Sequence, residues 1–288
     1  MENLRGILFM ILAMAGFAFE DLFIKMLSAY FPISEVIIIL GFTGSVILLI
    51  IALLQRAPII HKDLLNRHVI SRTIFDLLGA VFFVTAIALT PLSSASAILQ
   101  ITPLLVTIGA VIFFREKVGW RRWSAVFVGF IGVLLILRPG FGGFMPASIF
   151  ALLGAVFLAA RDLATRAMKV KLPSVTIALY AFIAFGISGI LIIPFNSAMI
   201  APTSNQIMYF IGASTFGVIA YYSLVIASRI GEMSVISPFR YSRIVFAMLL
   251  AIIILGERPD SFTLIGATII VASGLYTFIR ESVLNKPQ

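Results

Sequence analysis

Apolar residues run along this chain in long stretches, and charged residues, prolines or glycines separate one stretch from the next. A helix needs about 20 such residues to cross the hydrocarbon of a bilayer. Turn residues mark most of the boundaries between the stretches. The pattern predicts an all-α integral membrane protein with ten transmembrane helices. The predicted spans are 4–27, 33–54, 69–89, 92–114, 121–137, 145–168, 173–195, 205–228, 232–255 and 261–280.

The charge of the chain is low in amount and uneven in distribution. Only 11% of the residues are charged and 61% are hydrophobic, whereas soluble domains carry about 25% charged residues. The net charge of +9 comes from lysines and arginines in alternate loops, chiefly 55–72, 115–122 and 166–171. By the positive-inside rule, these loops and both termini are predicted to be cytoplasmic. We therefore expect a multi-pass protein of the cytoplasmic (inner) membrane, with the lipid bilayer rather than nucleic acid as its partner.

The two halves of the sequence repeat each other. Asp21 and Lys25 reappear 141 residues later as Asp162 and Arg166, and landmarks further along keep this spacing. Each half has five predicted spans, an odd number, so the second half enters the membrane from the opposite side. Inverted repeats of this kind are typical of secondary transporters, which bind their substrate between the halves. The predicted repeats are 1–140 and 141–288.

Several charges lie inside the predicted spans, where a charge costs at least roughly 2.5–3.5 kcal/mol. Some are spaced i,i+4 on one helix, such as Asp21 with Lys25, and can neutralise each other. They are either structural ion pairs or gates that form and break as the cavity opens alternately. The candidate gating or coupling residues are Glu20, Asp21, Lys25, Arg72, Asp76, Arg161, Asp162 and Arg166.

Arg240 and Arg243 share one face of the ninth predicted span and have no carboxylate at i±4 on that helix. Pro238 precedes them and leaves a carbonyl one turn earlier without its donor, which predicts a kink. Broken helices near the midplane commonly form transporter sites. The two arginines either bind an anionic or carboxylate-bearing group, or pair with Asp21 and Asp162 until a substrate arrives.

Polar and aromatic side chains within the spans are further candidates for the cavity wall. They can stack on or hydrogen-bond a planar or cationic substrate, or serve only as core and interface residues. Phe82 and Phe83 are interpreted as ordinary apolar filling, and glycines such as Gly41 and Gly217 as close-packing positions between helices. The further candidate substrate-binding residues are Gln100, Ser96, Tyr180, Tyr221, Tyr222 and Tyr241.

Four segments carry a resemblance to a known family. Residues 114–117 and 256–259 look like the ends of the fourth and ninth spans of EamA-type carriers, in the drug/metabolite transporter superfamily. Residues 161–166 and 238–243 resemble a subgroup that includes riboflavin and S-adenosylmethionine uptake carriers. The resemblance implies a ten-helix inverted-repeat fold with a central cavity. Related carriers often have an arginine midway in the second span, where this chain has Leu40-Gly41-Phe42.

The leading hypothesis is a carrier for a small polar organic metabolite, either vitamin- or nucleoside-like or carboxylate-bearing. An exporter of amino acids or related metabolites is the main alternative, and a channel or lipid-handling subunit is a different class. We expect no enzyme, cofactor or metal site, because the only histidines, His61 and His68, lie in one loop. Proton coupling, exchange and facilitated diffusion all stay open, as do a monomer and a homodimer.

Overall fold

The computed structural model of the protein describes residues 2–115, 119–138, 145–168, 172–195, 199–230 and 236–284. This part of the chain is helical and contains no strand. Short 3₁₀ helices cover Lys62–Leu65, Ile193–Phe195 and Ser237–Tyr241. The α-helices are α1 (Glu2–Leu27), α2 (Ile33–Leu54), α3 (Arg67–Leu89), α4 (Leu92–Leu99), α5 (Thr102–Phe114), α6 (Trp120–Leu137), α7 (Ser148–Ala167), α8 (Ser174–Ile192), α9 (Ser204–Ile230), α10 (Ser242–Ile253) and α11 (Ser261–Leu284).

Within these described residues, seven helical stretches are long and apolar enough to cross a membrane, with α4 and α5 counted together. Trp123–Leu137 and Ser261–Tyr276 are apolar but shorter. The all-helical membrane class is thus confirmed, while the count of ten spans and the orientation of the termini stay predictions. Parts of the predicted segments lie outside the described residues, including Glu116 and Lys117 of the segment 114–117, residues 169–171 of the loop 166–171 and residues 232–235 of the ninth span.

The outward faces of the helices carry large apolar side chains. Leu54, Ile112, Phe127, Met208 and Ile253 are each more than 60% exposed. A soluble protein rarely exposes so many large apolar side chains, because their contact with water is unfavourable. The same surface is favourable against lipid tails, so it fits the bilayer predicted from the sequence.

The most extensive helix contacts join helices of the first half to helices of the second. Helix α1 packs along α9, α3 along α7, α2 along α8, and α6 along α11. The first two of these pairs are equivalent under the 141-residue repeat, since α1 corresponds to α7 and α3 corresponds to α9. The two halves therefore build one helical body, and the space between them belongs to both.

Glycines allow two of these pairs to approach backbone to backbone. A Cβ on Gly41 of α2 would lie 2.3 Å from the backbone nitrogen of Gly186 on α8. A Cβ on Gly132 of α6 would lie 2.8 Å from the carbonyl oxygen of Gly266 on α11. Any side chain at these positions would push the helices apart, as is common where membrane helices pack through small residues.

The first turns of α2 and α8 each form a hydrogen bond to the opposite half, at equivalent positions of the repeat. The buried carboxylate of Glu35 accepts a hydrogen bond from the backbone N–H of Ile200 at 2.9 Å. The hydroxyl of Thr176, which is 141 residues after Glu35, donates to the carbonyl of Pro58 at 2.9 Å. Both bonds tie a helix start to the loop that follows its partner helix, so the pseudo-symmetry reaches individual side chains.

The predicted fourth span, 92–114, is long and apolar enough to cross a membrane, but its α-helix is interrupted. α4 ends at Leu99 and α5 begins at Thr102. Pro103 lies in the first turn of α5 and cannot donate to the carbonyl of Leu99. That carbonyl instead accepts a hydrogen bond from the Thr102 hydroxyl at 2.6 Å. The interruption is thus stabilised locally, in the middle of the span.

Candidate functional site

The two interrupted spans meet at their interruptions. In the second half, the 3₁₀ helix Ser237–Tyr241 leads into α10, and the Ser242 hydroxyl donates to the Phe239 carbonyl at 2.7 Å. This repeats the Thr102 bond of the first half. The side-chain amide of Gln100 reaches across and donates to the carbonyl of Arg240 at 3.4 Å. Irregular backbone from both halves therefore lies at one place, as in many transporter sites.

Arg243, at the start of α10, binds Asp21 of α1. Its Nε and Nη2 atoms donate to the two carboxylate oxygens at 2.8–3.1 Å. The rings of Phe17 and Phe83 lie 4.8 and 5.1 Å from the guanidinium carbon. The ion pair is thus bidentate and flanked by aromatic faces, an arrangement that suits arginine and not lysine.

Arg240 binds the pseudo-symmetric carboxylate, Asp162 of α7. Its Nη1 atom donates to Asp162 Oδ2 at 2.9 Å. The other oxygen of Asp162 accepts two hydrogen bonds from Arg161 at 2.8 and 3.0 Å. Arg161 also donates to Asp76 of α3 at 3.0 Å. Asp162 therefore divides its two oxygens between two arginines.

Tyr221 of α9 extends this network towards the start of α3. Its hydroxyl donates to Asp76 Oδ2 and accepts from Arg72 Nη2, each at 2.5 Å. Arg72 and Asp76 themselves are 3.7 Å apart. A continuous chain of hydrogen bonds therefore runs from Arg72 to Arg240 and links α3, α9, α7 and the 3₁₀ helix.

A cavity of about 150 Å³ lies beside both ion-pair groups. Helices α1, α3, α7, α8 and α9 and the two interruptions form its wall. Aromatic rings, including Phe182 and Phe185, line the apolar part. Of the residues proposed from the sequence, the structure brings eight to this wall: Glu20, Asp21, Asp76, Gln100, Arg161, Tyr221, Arg240 and Arg243.

The other four candidate binding residues do not line the cavity. Tyr241 is buried and packs towards α11, and Ser96 is buried inside α4. Tyr222 makes a hydrogen bond with Gln55 at 2.8 Å, and Tyr180 lies elsewhere on α8. Tyr241, Ser96 and Tyr222 thus pack as core and interface residues in this conformation.

Lys25 is not the partner of Asp21, which corrects the i,i+4 pairing expected from the sequence. Its ammonium group donates to the carbonyls of Ile87 and Thr90 at 2.9 and 2.7 Å. Helix α3 ends at Leu89, and the last carbonyls of a helix have no intrahelical donor. The lysine satisfies them, and Asp21 is left to Arg243.

Arg166, the repeat equivalent of Lys25, lies beside an aromatic ring of another helix. Its guanidinium carbon lies 5.0 Å from the ring centroid of Phe114, at the end of α5. Glu257, by contrast, accepts hydrogen bonds from the backbone of Leu92 and Ser93 and from the Ser93 hydroxyl at 2.7–3.0 Å. This carboxylate caps α4 from the other half of the chain.

Sequence reasoning missed the role of two aromatic residues and one glycine. Phe83, taken as apolar filling, and Phe17 both flank Arg243. Gly217 of α9 leaves space for Glu20, since a Cβ there would lie 2.4 Å from Glu20 Oε1. No periodicity distinguishes these residues from other apolar or small residues, because their neighbours come from distant helices.

Long apolar helices in the described part of the chain, with charged residues around an internal cavity between two halves, are typical of multi-span membrane transport proteins. The chain belongs to the EamA-like transporter family, whose model matches residues 4–138 and, a second time, residues 145–279.

Similar proteins have several transported molecules in their names. The S-adenosylmethionine uptake transporter of Rickettsia conorii is 25% identical, over 96% of this chain and 94% of its own. The riboflavin transporter of Vibrio cholerae is 27% identical, with 94% and 91% covered. The pseudopaline exporter of Pseudomonas aeruginosa is 24% identical, with 93% and 94% covered. One solved crystal structure shares the fold, with a TM-score of 0.67, 18% identity and 99% of both chains covered.

Proposed function

We propose that the protein is a secondary transporter that moves a small polar organic metabolite by alternating access. Asp21 and Asp162 occupy equivalent positions in the two halves, and each binds one arginine of the same short segment beside the cavity. This observation carries the proposal. A shift of this segment that strengthens one ion pair and weakens the other provides a means to favour one side of the membrane at a time.

The proposed topology has ten spans in two inverted repeats, 1–140 and 141–288, with both termini in the cytoplasm and the protein in the cytoplasmic membrane. The two family matches, the equivalent helix pairs and the equivalent hydrogen bonds of Glu35 and Thr176 support the repeats. The distribution of lysine and arginine supports the orientation.

The proposed cargo is an S-adenosylmethionine- or riboflavin-type solute and the proposed direction is uptake. Both follow the relatives named S-adenosylmethionine uptake transporter and riboflavin transporter. The relative named as an exporter favours a second candidate, export of an amino-acid-related metabolite. The cavity of about 150 Å³ is smaller than the roughly 300 Å³ at which drug-sized ligand pockets begin. Binding of such a solute therefore requires a more open conformation than this one.

Transport by purified protein in liposomes tests the proposal. Labelled S-adenosylmethionine, riboflavin and several amino acids are offered from either side, with and without a pH gradient. We expect saturable, trans-stimulated flux of one compound. Arg240→Ala and Arg243→Ala should each lower that flux at least about tenfold, because a charge-assisted hydrogen bond contributes roughly 1.5–3 kcal/mol.

The exposed Arg67→Ala is the matched control, since it removes an arginine far from the cavity. Flux that does not saturate and shows no trans-stimulation would instead indicate a channel. Wild-type flux in both cavity variants would remove the two arginines from the site.

A further inference from the structure

The charges around the cavity are not evenly balanced. On one side, the single guanidinium of Arg243 faces the carboxylates of Asp21 and Glu20. On the other side, within the part of the chain that the structure describes, the three guanidiniums of Arg72, Arg161 and Arg240 share two carboxylates, Asp76 and Asp162. One side of the cavity therefore has a surplus carboxylate, and the other has a surplus cation.

Glu20 is the surplus carboxylate. It lines the cavity, and it makes no hydrogen bond or ion pair with any residue that the structure describes. The neighbouring Asp21 occupies the Nε/Nη2 edge of Arg243. The carboxylate lies against Gly217, where a methyl group would displace it. A carboxylate left unpaired inside a membrane protein is costly, so a cation or a proton should bind there.

Arg240 has the free donors on the opposite side. It lines the cavity and uses only Nη1 to bind Asp162. Its Nε and Nη2 atoms have no acceptor among the described residues, whereas Arg161 uses all three of its donor nitrogens. A guanidinium with two adjacent free N–H groups matches the geometry of a carboxylate.

We infer that the transported solute is a zwitterion, with its cationic group at Glu20 and its carboxylate at Arg240. This assignment rests on the transport function proposed above and narrows its substrate class. It favours a solute that carries an ammonium or sulfonium group together with a carboxylate, and it disfavours a neutral planar solute. Glu20 is then a specificity-determining residue, and Gly217 positions its carboxylate.

Binding to the full-length protein in nanodiscs, followed by calorimetry, tests the inference without requiring transport. The probes are S-adenosylmethionine and riboflavin, then L-methionine with two analogues that each lack one charge, N-acetyl-L-methionine and L-methionine methyl ester. Wild-type protein should bind the zwitterions about tenfold or more tightly than the singly charged analogues or riboflavin.

Glu20→Gln should remove most of the preference for L-methionine over its N-acetyl analogue, a change of about tenfold, and should leave the preference over the ester unchanged. Gly217→Ala should act in the same direction, because it displaces the carboxylate without altering any charge. Glu35→Gln is the matched control: it neutralises a buried carboxylate that lies outside the cavity and should leave every ratio unchanged.

Three results would overturn the inference. Tighter binding of riboflavin than of any zwitterion would leave the proposed transport function in place but contradict a zwitterionic substrate. An unchanged L-methionine preference in Glu20→Gln, together with loss of pH-driven flux in liposomes, would make Glu20 a proton site. Absence of both binding and flux for every probe would remove the proposed function, and this inference with it.

Discussion

Asp21 and Asp162 are the same residue at equivalent points of the two halves, yet they are neutralised in different ways. Asp21 gives both of its oxygens to Arg243. Asp162 gives one oxygen to Arg240 and the other to Arg161, which precedes it in the chain. The residue before Asp21 is the anionic Glu20, whereas the residue before Asp162 is the cationic Arg161. The second half therefore compensates its carboxylate locally, whereas the first half depends on a residue from the other half.

Loss of Arg243 should have the largest effect, because it leaves the consecutive carboxylates Glu20 and Asp21 without a bonded cation. We expect Arg243→Gln to destabilise the protein by about 3–5 kcal/mol, the usual effect of breaking a buried ion pair from one side. Thermal unfolding in nanodiscs measures it. The double variant Asp21→Asn/Arg243→Gln should recover part of the loss. A double variant no more stable than the single one would show that Asp21 is not left uncompensated.

Arg240→Gln should destabilise the protein less, because Asp162 keeps both hydrogen bonds from Arg161. The expected change is about 1.5–3 kcal/mol, the value for one charge-assisted hydrogen bond. Flux should nevertheless fall as far as in Arg243→Gln, since both arginines line the cavity. Measuring thermal unfolding and flux on the same preparations tests whether stability and flux respond differently in the two variants. Equal destabilisation in the two variants would contradict the difference between the halves.

The tyrosine hydroxyl in the longer network should matter less still. Tyr221→Phe removes the group that joins Arg72 to Asp76, and we expect a loss of about 1 kcal/mol with flux reduced severalfold. Tyr222→Phe is the control on the next position of α9, since its hydroxyl contacts Gln55 outside the cavity. Flux that falls equally in both variants would indicate a general effect on α9.

The smallest effect should come from an ion pair outside the spans, Arg138 with Asp260. Asp260→Asn should cost no more than about 0.2–1 kcal/mol, the usual range for exposed pairs, and flux should not change. Partial burial acts to raise the pKa of Asp260, but the hydrogen bonds from Arg138 and Thr263, together with the positive charge of Arg138, outweigh burial and lower the pKa below 3.8. The pair therefore stabilises the fold above that pH, and unfolding curves of variant and wild type should converge only as acid protonates Asp260. A difference that persists there would argue against the pair as its source.

Much of the fold could be predicted from the sequence, because apolar stretches of membrane length leave few alternatives. The predicted span 33–54 coincides with α2, and 92–114 covers α4 and α5 together. The interruption between α4 and α5 was missed since Pro103 is also compatible with the first turn of a helix. The hydrophobic pattern indicates which residues face lipid. It does not indicate where the α-helical backbone hydrogen bonds are interrupted inside one span.

The residue types of the site were predicted, and the pairing of Arg240 and Arg243 with Asp162 and Asp21 was one of two alternatives that the sequence left open. The i,i+4 pairing of Asp21 with Lys25 was wrong. Sequence spacing reveals neighbours on one helix, which is why Lys25 was matched to Asp21. The actual partner, Arg243, is 222 residues away from Asp21 along the chain. Such a contact depends on how helices of the two halves pack, and no local rule contains that information. Arg72 with Asp76, a pair on one helix, was accordingly found.

The dependence of Asp21 on Arg243 has a consequence for how the protein is made. Synthesis starts at the N-terminus, so α1 enters the bilayer with Glu20 and Asp21 long before the ribosome reaches α10. During that interval the two carboxylates have no cation from the second half, and α1 has not yet packed on α9. Until α10 is synthesised, the carboxylates of Glu20 and Asp21 must therefore be protonated or stay near water at the insertion machinery. Chains truncated before α10 should then be recognised as unassembled and degraded.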